Sequence, residues 1–96
     1  MIKGVARALV KPECKDAFLA LAREFVALNR RENGNISYDL FIGLENPCLM
    51  TFIEEWSDRN ALERHLASAH FRRIAPQFAA MQQAPTQADI YIHADL

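Results

Sequence analysis

The stretch FIEEWSDRNALERHLASAHF, residues 52–71, constrains the fold most, because a strand pattern passes directly into a helix pattern. Side chains of a strand alternate between its two faces, so Phe52, Glu54 and Trp56 are predicted to share one face. One residue of the pair Ser57-Asp58 can then cap the amino end of a helix. The sequence therefore predicts a strand and a helix joined with almost no loop.

The predicted helix carries an ionisable ring on its apolar stripe. Leu62, His65, Leu66 and Ala69 follow the i, i+3, i+4, i+7 spacing of one helix face. One interpretation is a histidine at the edge of the core that bonds to a carbonyl. The other is a group that transfers protons in a binding site, and a Tyr, a Glu and a Trp on adjacent elements favour it.

The chain before this stretch reads as a strand, a helix and a second strand. Gly4 to Val10 predicts the first strand, and Pro12 suits the first turn of a helix. An apolar stripe runs from Cys14 to Leu28, and Gly34 supplies a left-handed stop. Ile36 to Leu44 then alternates as the second strand.

The remaining chain completes a sheet. Cys48 to Trp56 pairs back on the second strand as a hairpin, and Ala88 to Leu96 alternates as the last strand. Between them a helical stripe continues to Met81, with a kink or restart predicted at Pro76. The order is βαββαβ in one domain, residues 1–96. We expect the ferredoxin-like α+β fold, with a four-stranded antiparallel sheet and helices on one face.

The second face of this sheet is predicted to be apolar as well. Alternation predicts that Val10, Phe41, Leu49 and Ile53 lie on it. An antiparallel sheet covered by helices on one side should show polar residues on the other. We therefore expect another copy of the chain to cover this face, in a homodimer.

Charge and composition exclude several classes of function. The net charge is −1, and the only basic doublets are Arg30-Arg31 and Arg72-Arg73, so no nucleic-acid footprint is present. No apolar run reaches the ~18 residues of a membrane span, and the start does not resemble a signal peptide, which predicts a cytoplasmic protein without a membrane partner. Cys14 and Cys48 lack CxxC spacing and are expected to be reduced.

The same spacing argument predicts no metal site and no nucleotide cofactor. His65 and His70 are five residues apart, which places them ~140° apart on one continuous helix, whereas two ligands need a spacing of three or four. No GxGxxG, Walker or GxSxG pattern occurs.

Acid–base chemistry in an apolar pocket is what the remaining residues support. His65 can accept a proton, Tyr38 can donate a hydrogen bond to an oxyanion, and Glu54 can orient either. Two alternatives stay open: Glu54 pairs with Arg59 or Arg64, or Tyr38 is a core residue. A flat apolar wall is predicted from Met50, Phe52 and Trp56.

These residues also carry a family resemblance over nearly the whole chain. Gly34 with Tyr38, Glu54 with Trp56, and His65 with His70-Phe71 resemble the Gly-x-x-x-Tyr, Glu-x-Trp and His-x-x-x-x-His-Phe patterns of antibiotic biosynthesis monooxygenase (ABM) domains. The resemblance implies a dimeric α/β barrel whose sheets pack face to face. It also implies that His70 and Phe71 border the substrate site.

For activity, the resemblance implies oxidation of a quinol- or anthrone-like aromatic by molecular oxygen without a cofactor. The substrate would lie against Trp56 and Phe52, give a proton to His65 and have its phenolate stabilised by Tyr38. Some relatives degrade haem with an Asn on the first strand, and the strand GVARALV has none. Two alternatives are a non-oxidative isomerase that uses the same histidine, and a ligand-binding or stress-response dimer without turnover.

Overall fold

The computed structural model describes all 96 residues as four strands and three helices. The strands are β1 (Ile2–Leu9), β2 (Asn35–Ile42), β3 (Leu49–Trp56) and β4 (Gln87–Ile92). The helices are α1 (Lys15–Arg30), α2 (Arg59–Leu66) and α3 (Ala69–Ala80), and a short 3-10 turn, Pro12–Cys14, precedes α1. None of the helices has the length and apolarity that crossing a membrane requires.

The strands form one antiparallel sheet in the order β2-β3-β1-β4. This arrangement confirms the predicted ferredoxin-like fold. On β3 the side chains of Met50, Phe52, Glu54 and Trp56 are buried under the helices, whereas the alternate residues are half-buried. The alternation of the sequence thus predicted correctly which face of β3 turns inward.

The outer face of the sheet, which points away from the helices, carries most but not all of the apolar residues predicted for it. Phe41, Leu49 and Ile53 are on it, since their positions alternate with the buried residues of the same strands. Val10 was assigned there wrongly: it lies beyond the end of β1, fully buried and bridged to Gln82. The remaining outer residues still include Val5 and Leu9, so the predicted dimer face persists, and the homodimer stays a prediction.

Two strands deviate from simple alternation. The register of β2 shifts between Asn35 and Ser37, so Ile36 is 52% exposed instead of sharing the buried face of Tyr38. A bulge adds one residue to one strand of a pair and turns the side chain there out of phase. The last strand ends at Ile92 and not at Leu96, and it is exposed along its whole length because it is an edge strand with little helix above it.

Helix α1 turns a mixed face toward the sheet. Phe18, Ala22 and Phe25 are buried as the stripe predicted. Asn29 is also fully buried, at the carboxyl end of the same face. A buried amide on an apolar face needs polar partners, and these belong to the site described below.

The helical segment after β3 is interrupted earlier in the chain than predicted. Asp58 caps α2 through a 2.8 Å hydrogen bond from the Ala61 amide, which confirms the predicted start. The helix ends at Leu66, and Ser68 caps α3 by accepting from the Phe71 amide at 3.2 Å. Pro76 lies inside α3, so the restart predicted at this proline was wrong. The cap at Ser68 provides an earlier restart.

Candidate active site

An apolar cleft of about 450 Å³ opens between the helix side of the sheet and helices α2 and α3. Of its 18 lining residues, 13 are hydrophobic, so it suits an apolar ligand. Four phenylalanines contribute aromatic wall: Phe25, Phe52, Phe71 and Phe78. Polar side-chain atoms come from Glu54, His65, Gln82 and Thr86, and from the hydroxyl of Tyr38, which is one of the 13. No lysine or arginine lines the cleft, which leaves Glu54 as its one acidic group and no fixed cation.

His65 lines the cleft although only 1% of it is exposed to solvent. Its ring stacks on Trp56 with centroids 4.8 Å apart, and the Phe71 ring stands edge-on at 5.1 Å. Its Nδ1 lies 3.1 and 3.2 Å from the two carboxylate oxygens of Glu32. Since an ionised carboxylate only accepts, Nδ1 carries the hydrogen. In the neutral ring Nε2 then bears the lone pair, and Nε2 has no hydrogen-bond partner in the protein.

Glu32 was not among the predicted site residues. It follows α1 in the tight turn to β2, where Gly34 has a φ of +88° and its carbonyl accepts from the Ser57 amide at 2.8 Å. This turn presses on the start of α2: a Cβ on Gly34 would stand 2.6 Å from that of Ala61. The close approach brings Glu32 to His65. No periodicity links residues 33 positions apart, so only the stop signal at Gly34 pointed to this turn.

His70 and Asn29 complete a polar network beside Glu32. His70 Nε2 lies 2.6 Å from Glu32 Oε1 and 2.8 Å from Asn29 Oδ1. Both neighbours are acceptors, which places a hydrogen on Nε2. The amide nitrogen of Asn29 is buried without a partner. If the side-chain amide of Asn29 were flipped, its NH2 group would face the Nε2 hydrogen of His70, donor against donor. The network therefore determines the orientation of this amide.

Glu54 is a buried carboxylate on β3. It is 6% exposed, and its Oε1 accepts from the Trp56 indole N–H at 2.9 Å. No ion pair joins it to Arg59 or Arg64, so that alternative is not observed. Gly4 on the neighbouring strand makes room for it, since a Cβ there would stand 2.8 Å from Glu54 Cγ. The strand pairing therefore leaves space for a carboxylate at the wall of the cleft.

Tyr38 is a protonated hydrogen-bond donor at neutral pH. Burial raises the pKa of its hydroxyl well above 10.0, and the charge of Glu54, a hydrogen bond to Glu54 and the charge of Glu32 raise it further. Its ring centroid lies 5.6 Å from that of His65. A buried phenol of this kind can donate to an oxyanion without ionising itself.

The structure brings most of the predicted site residues together, in two groups. Tyr38, Glu54, His65, Phe52 and Phe71 line the cleft. The other three do not: Trp56 and Met50 are buried behind the wall, and His70 faces Glu32. Trp56 thus contacts His65 and Glu54, and the flat wall consists of phenylalanines.

Glu32, His65 and His70 are also the residues that could hold a metal ion. Their ligand atoms lie within 4.8 Å of one another. The helix break at Ser68 brings the two histidines together, so the argument from a continuous helix does not apply. However, His70 Nε2 and Glu32 Oε1 are 2.6 Å apart, whereas two ligands of one tetrahedral zinc ion stand about 3.3 Å apart. The two atoms are too close to be ligands of one zinc ion as they stand, and the absence of a metal site stays a prediction.

Sequence comparisons connect the chain with named relatives. A family model described as antibiotic biosynthesis monooxygenase matches residues 1–77. The Bacillus subtilis protein named "Putative monooxygenase YcnE" is 38% identical over 78 residues, which cover 79% of this chain and 80% of that protein. The Mycobacterium tuberculosis protein named "Putative monooxygenase Rv0793" is 28% identical over 91 residues, which cover 95% of this chain and 89% of the other.

Solved structures share the fold over almost the full length. A crystal structure described as an antibiotic biosynthesis monooxygenase matches with a TM-score of 0.93 and 38% identity, covering 98% of this chain and 99% of the other. A conserved protein from Methanosarcina mazei Go1 matches with a TM-score of 0.92 and 36% identity, covering 94% of this chain and 89% of the other.

Proposed function

Since the chain belongs to the antibiotic biosynthesis monooxygenase family, we propose that it oxidises a small, uncharged, quinol- or anthrone-like aromatic with molecular oxygen and without a cofactor. The observation that carries the proposal is that His65, whose Nδ1 is bonded to Glu32 and whose Nε2 has no hydrogen-bond partner in the protein, lines the same cleft as an aromatic wall. An aromatic substrate against Phe52 and Phe71 would present an acidic proton to that nitrogen. The family membership confirms the resemblance carried by the motifs around Tyr38, Trp56 and His65.

In the proposed reaction His65 starts catalysis as a general base. Nε2 takes a proton from the substrate, and the electrons of the broken bond spread over the aromatic system as a phenolate-like anion. The Tyr38 hydroxyl turns its hydrogen from Glu54 to the developing oxyanion and donates a hydrogen bond to it. The aromatic cleft excludes water from this anion. The protein's contribution is therefore to make the substrate a strong reductant.

The anion then reacts with oxygen directly. For an anthrone, the carbanion carbon bonds to one oxygen atom, and the imidazolium of His65 returns a proton to the peroxide formed. Loss of the second hydrogen from that carbon, with cleavage of the O–O bond, gives a carbonyl and water. The substrate methylene supplies all four electrons, so one oxygen atom enters the product and the other becomes water.

The electrostatics of the cleft favour an uncharged substrate. Glu54 is a buried carboxylate in the wall, and no lysine or arginine faces it across the cleft. A phosphate or carboxylate on the substrate would meet like charge without a counter-ion in a low-dielectric site. A neutral hydroxylated aromatic could instead donate a hydrogen bond to Glu54. The cleft therefore supports a neutral aromatic substrate over one that carries a phosphate or a carboxylate.

The decisive experiment is oxygen uptake by chelator-treated protein with a panel of hydroquinones and anthrones. We expect uptake that depends on substrate and falls at least about a hundredfold in His65→Ala, the typical contribution of a general base. His93→Ala is the matched control, because His93 is exposed outside the cleft. Product formed equally well without oxygen would favour an isomerase. Ligand binding without any turnover would favour the binding dimer.

A further inference from the structure

We propose that Glu32 is the positioning residue for His65: it fixes the tautomer of the imidazole and stabilises the charge that the ring gains. The inference rests on the proposed role of His65 as the base. It adds a third group, from outside the cleft, to the pair formed by His65 and Tyr38. No pattern in the sequence connects Glu32 with either of them.

The contact geometry supports the assignment. Both oxygens of Glu32 lie within 3.2 Å of His65 Nδ1, so the carboxylate straddles one ring nitrogen. Glu32 does not line the cleft, whereas the His65 ring does. The carboxylate is therefore on the side of the ring opposite to a bound substrate and acts only through His65.

The position of the ring hydrogen on His65 then determines which nitrogen is the base. With its hydrogen held on Nδ1 by Glu32, the neutral ring keeps the lone pair on Nε2. When Nε2 takes a proton, the imidazolium faces a carboxylate that lies 3.1 Å away and is itself only 16% exposed. The negative charge of this carboxylate would lower the free energy of the charged ring, as an acidic residue does behind a catalytic histidine.

His70 and Asn29 hold the carboxylate in place. His70 Nε2 donates its hydrogen to Asn29 Oδ1 at 2.8 Å and lies 2.6 Å from Glu32 Oε1. Asn29 keeps this orientation although its own amide nitrogen is left without a partner in the core. Asn29, His70, Glu32 and His65 thus form one group of contacts from α1 to the cleft, in which His65 Nδ1 donates to Glu32 and His70 Nε2 donates to Asn29.

The test uses two substitutions that separate geometry from charge. Glu32→Gln keeps a carbonyl oxygen that can accept from Nδ1 but removes the negative charge, and Glu32→Ala removes both. The matched control is Glu63→Gln, since Glu63 is exposed on α2 and lies outside the cleft. Nitrogen-15 NMR of the imidazole reports the tautomer of His65, and steady-state oxygen uptake separates kcat from KM.

We expect the wild type and Glu32→Gln to carry the hydrogen of His65 on Nδ1, and Glu32→Ala to move it largely to Nε2. In Glu32→Gln, kcat should fall at least about 10-fold, because the imidazolium loses the negative charge beside it, with little change in KM. Hydrogen on Nε2 in the wild type, or a kcat unaffected by Glu32→Gln, would overturn the proposal. The NMR measurement of the tautomer needs no turnover. If the wild type consumes no oxygen, the proposed function is refuted, but the tautomer of His65 in the wild type and the variants still decides whether Glu32 positions it.

Discussion

At the scale of the residue, the site consists of polar groups in the core that mostly bond to one another. Glu54 accepts from Trp56, and Glu32 accepts from His65 and lies 2.6 Å from His70. The sequence identified Tyr38, Glu54 and His65 because polar residues on apolar faces stand out. It could not identify Glu32, since a glutamate in a turn beside arginines looks like an ordinary surface residue.

The raised pKa of Tyr38 predicts a loss of stability at alkaline pH. Above a pH of about 10 the tyrosine of the unfolded chain loses its proton while the buried one keeps it, so the free energy of unfolding falls as pH rises. One such group contributes at most about 1.4 kcal/mol per pH unit. Urea unfolding of the wild type and Tyr38→Phe at several values above pH 8 measures the slope.

We expect the Tyr38→Phe protein to lose this part of the pH dependence. Tyr91→Phe is the control, because Tyr91 is a half-exposed residue on the edge strand. If the two substitutions alter the slope equally, burial of Tyr38 is not its cause.

Gly4 predicts a coupling with Glu54. A methyl group at residue 4 would stand 2.8 Å from Glu54 Cγ and 3.0 Å from Cδ, so Gly4→Ala should push the carboxylate out of its position. We expect a loss of about 1–3 kcal/mol in unfolding free energy, as for other overpacked cores. The loss should shrink in the Glu54→Ala background, where the obstructing atoms are gone. Equal losses in both backgrounds, measured by urea unfolding, would show that the two residues are independent.

At the scale of the element, one turn and one helix break bring the residues of the site together. The turn at Gly34 brings Glu32 against α2, and the cap at Ser68 ends α2 early enough for His65 and His70 to reach the same carboxylate. Periodicity predicted a continuous helix here, because the apolar spacing continues across the break. The sequence alone does not distinguish a serine that caps a helix from a serine on the surface of a helix.

The Gly34 turn predicts a costly substitution. Gly34→Ala would place a side chain at a φ of +88° and bring its Cβ within 2.6 Å of that of Ala61. Left-handed strain and overpacking together should cost about 2–4 kcal/mol in unfolding free energy. Asn33→Ala, on the exposed neighbour, is the control for denaturant unfolding. A change below about 1 kcal/mol for Gly34→Ala would mean that the turn relaxes, since compatible replacements of glycine stay in that range.

At the scale of the whole molecule, a single chain leaves apolar side chains uncovered on the outer face of the sheet. Phe41 is 53% exposed, and Val5, Leu9, Leu49 and Ile53 are half-buried on the side away from the helices. Apolar faces of this kind mark interaction surfaces. The same face packs between two copies in the dimer that the family resemblance implied.

The predicted dimer is tested by one charge at the centre of that face. Light scattering at micromolar concentration should give twice the mass of one chain for the wild type. Ile53→Lys should give mainly monomer, because it places a charged side chain in the apolar contact between the two sheets. Leu44→Lys, in the exposed hairpin, should stay dimeric. A wild-type protein that is monomeric would contradict the prediction.

The sequence by itself determined the order of the elements, the inward face of β3 and the cap of α2. These are local properties, decided by alternation, helical period and a capping carboxylate within a few residues. Only the tertiary structure decided that Glu32, His65 and His70 meet, that phenylalanines and not Trp56 form the wall of the cleft, and that Gly4 leaves room for Glu54. Each of these depends on contacts between residues distant in the chain, and the physical reason is that close packing is set by the three-dimensional arrangement of whole elements.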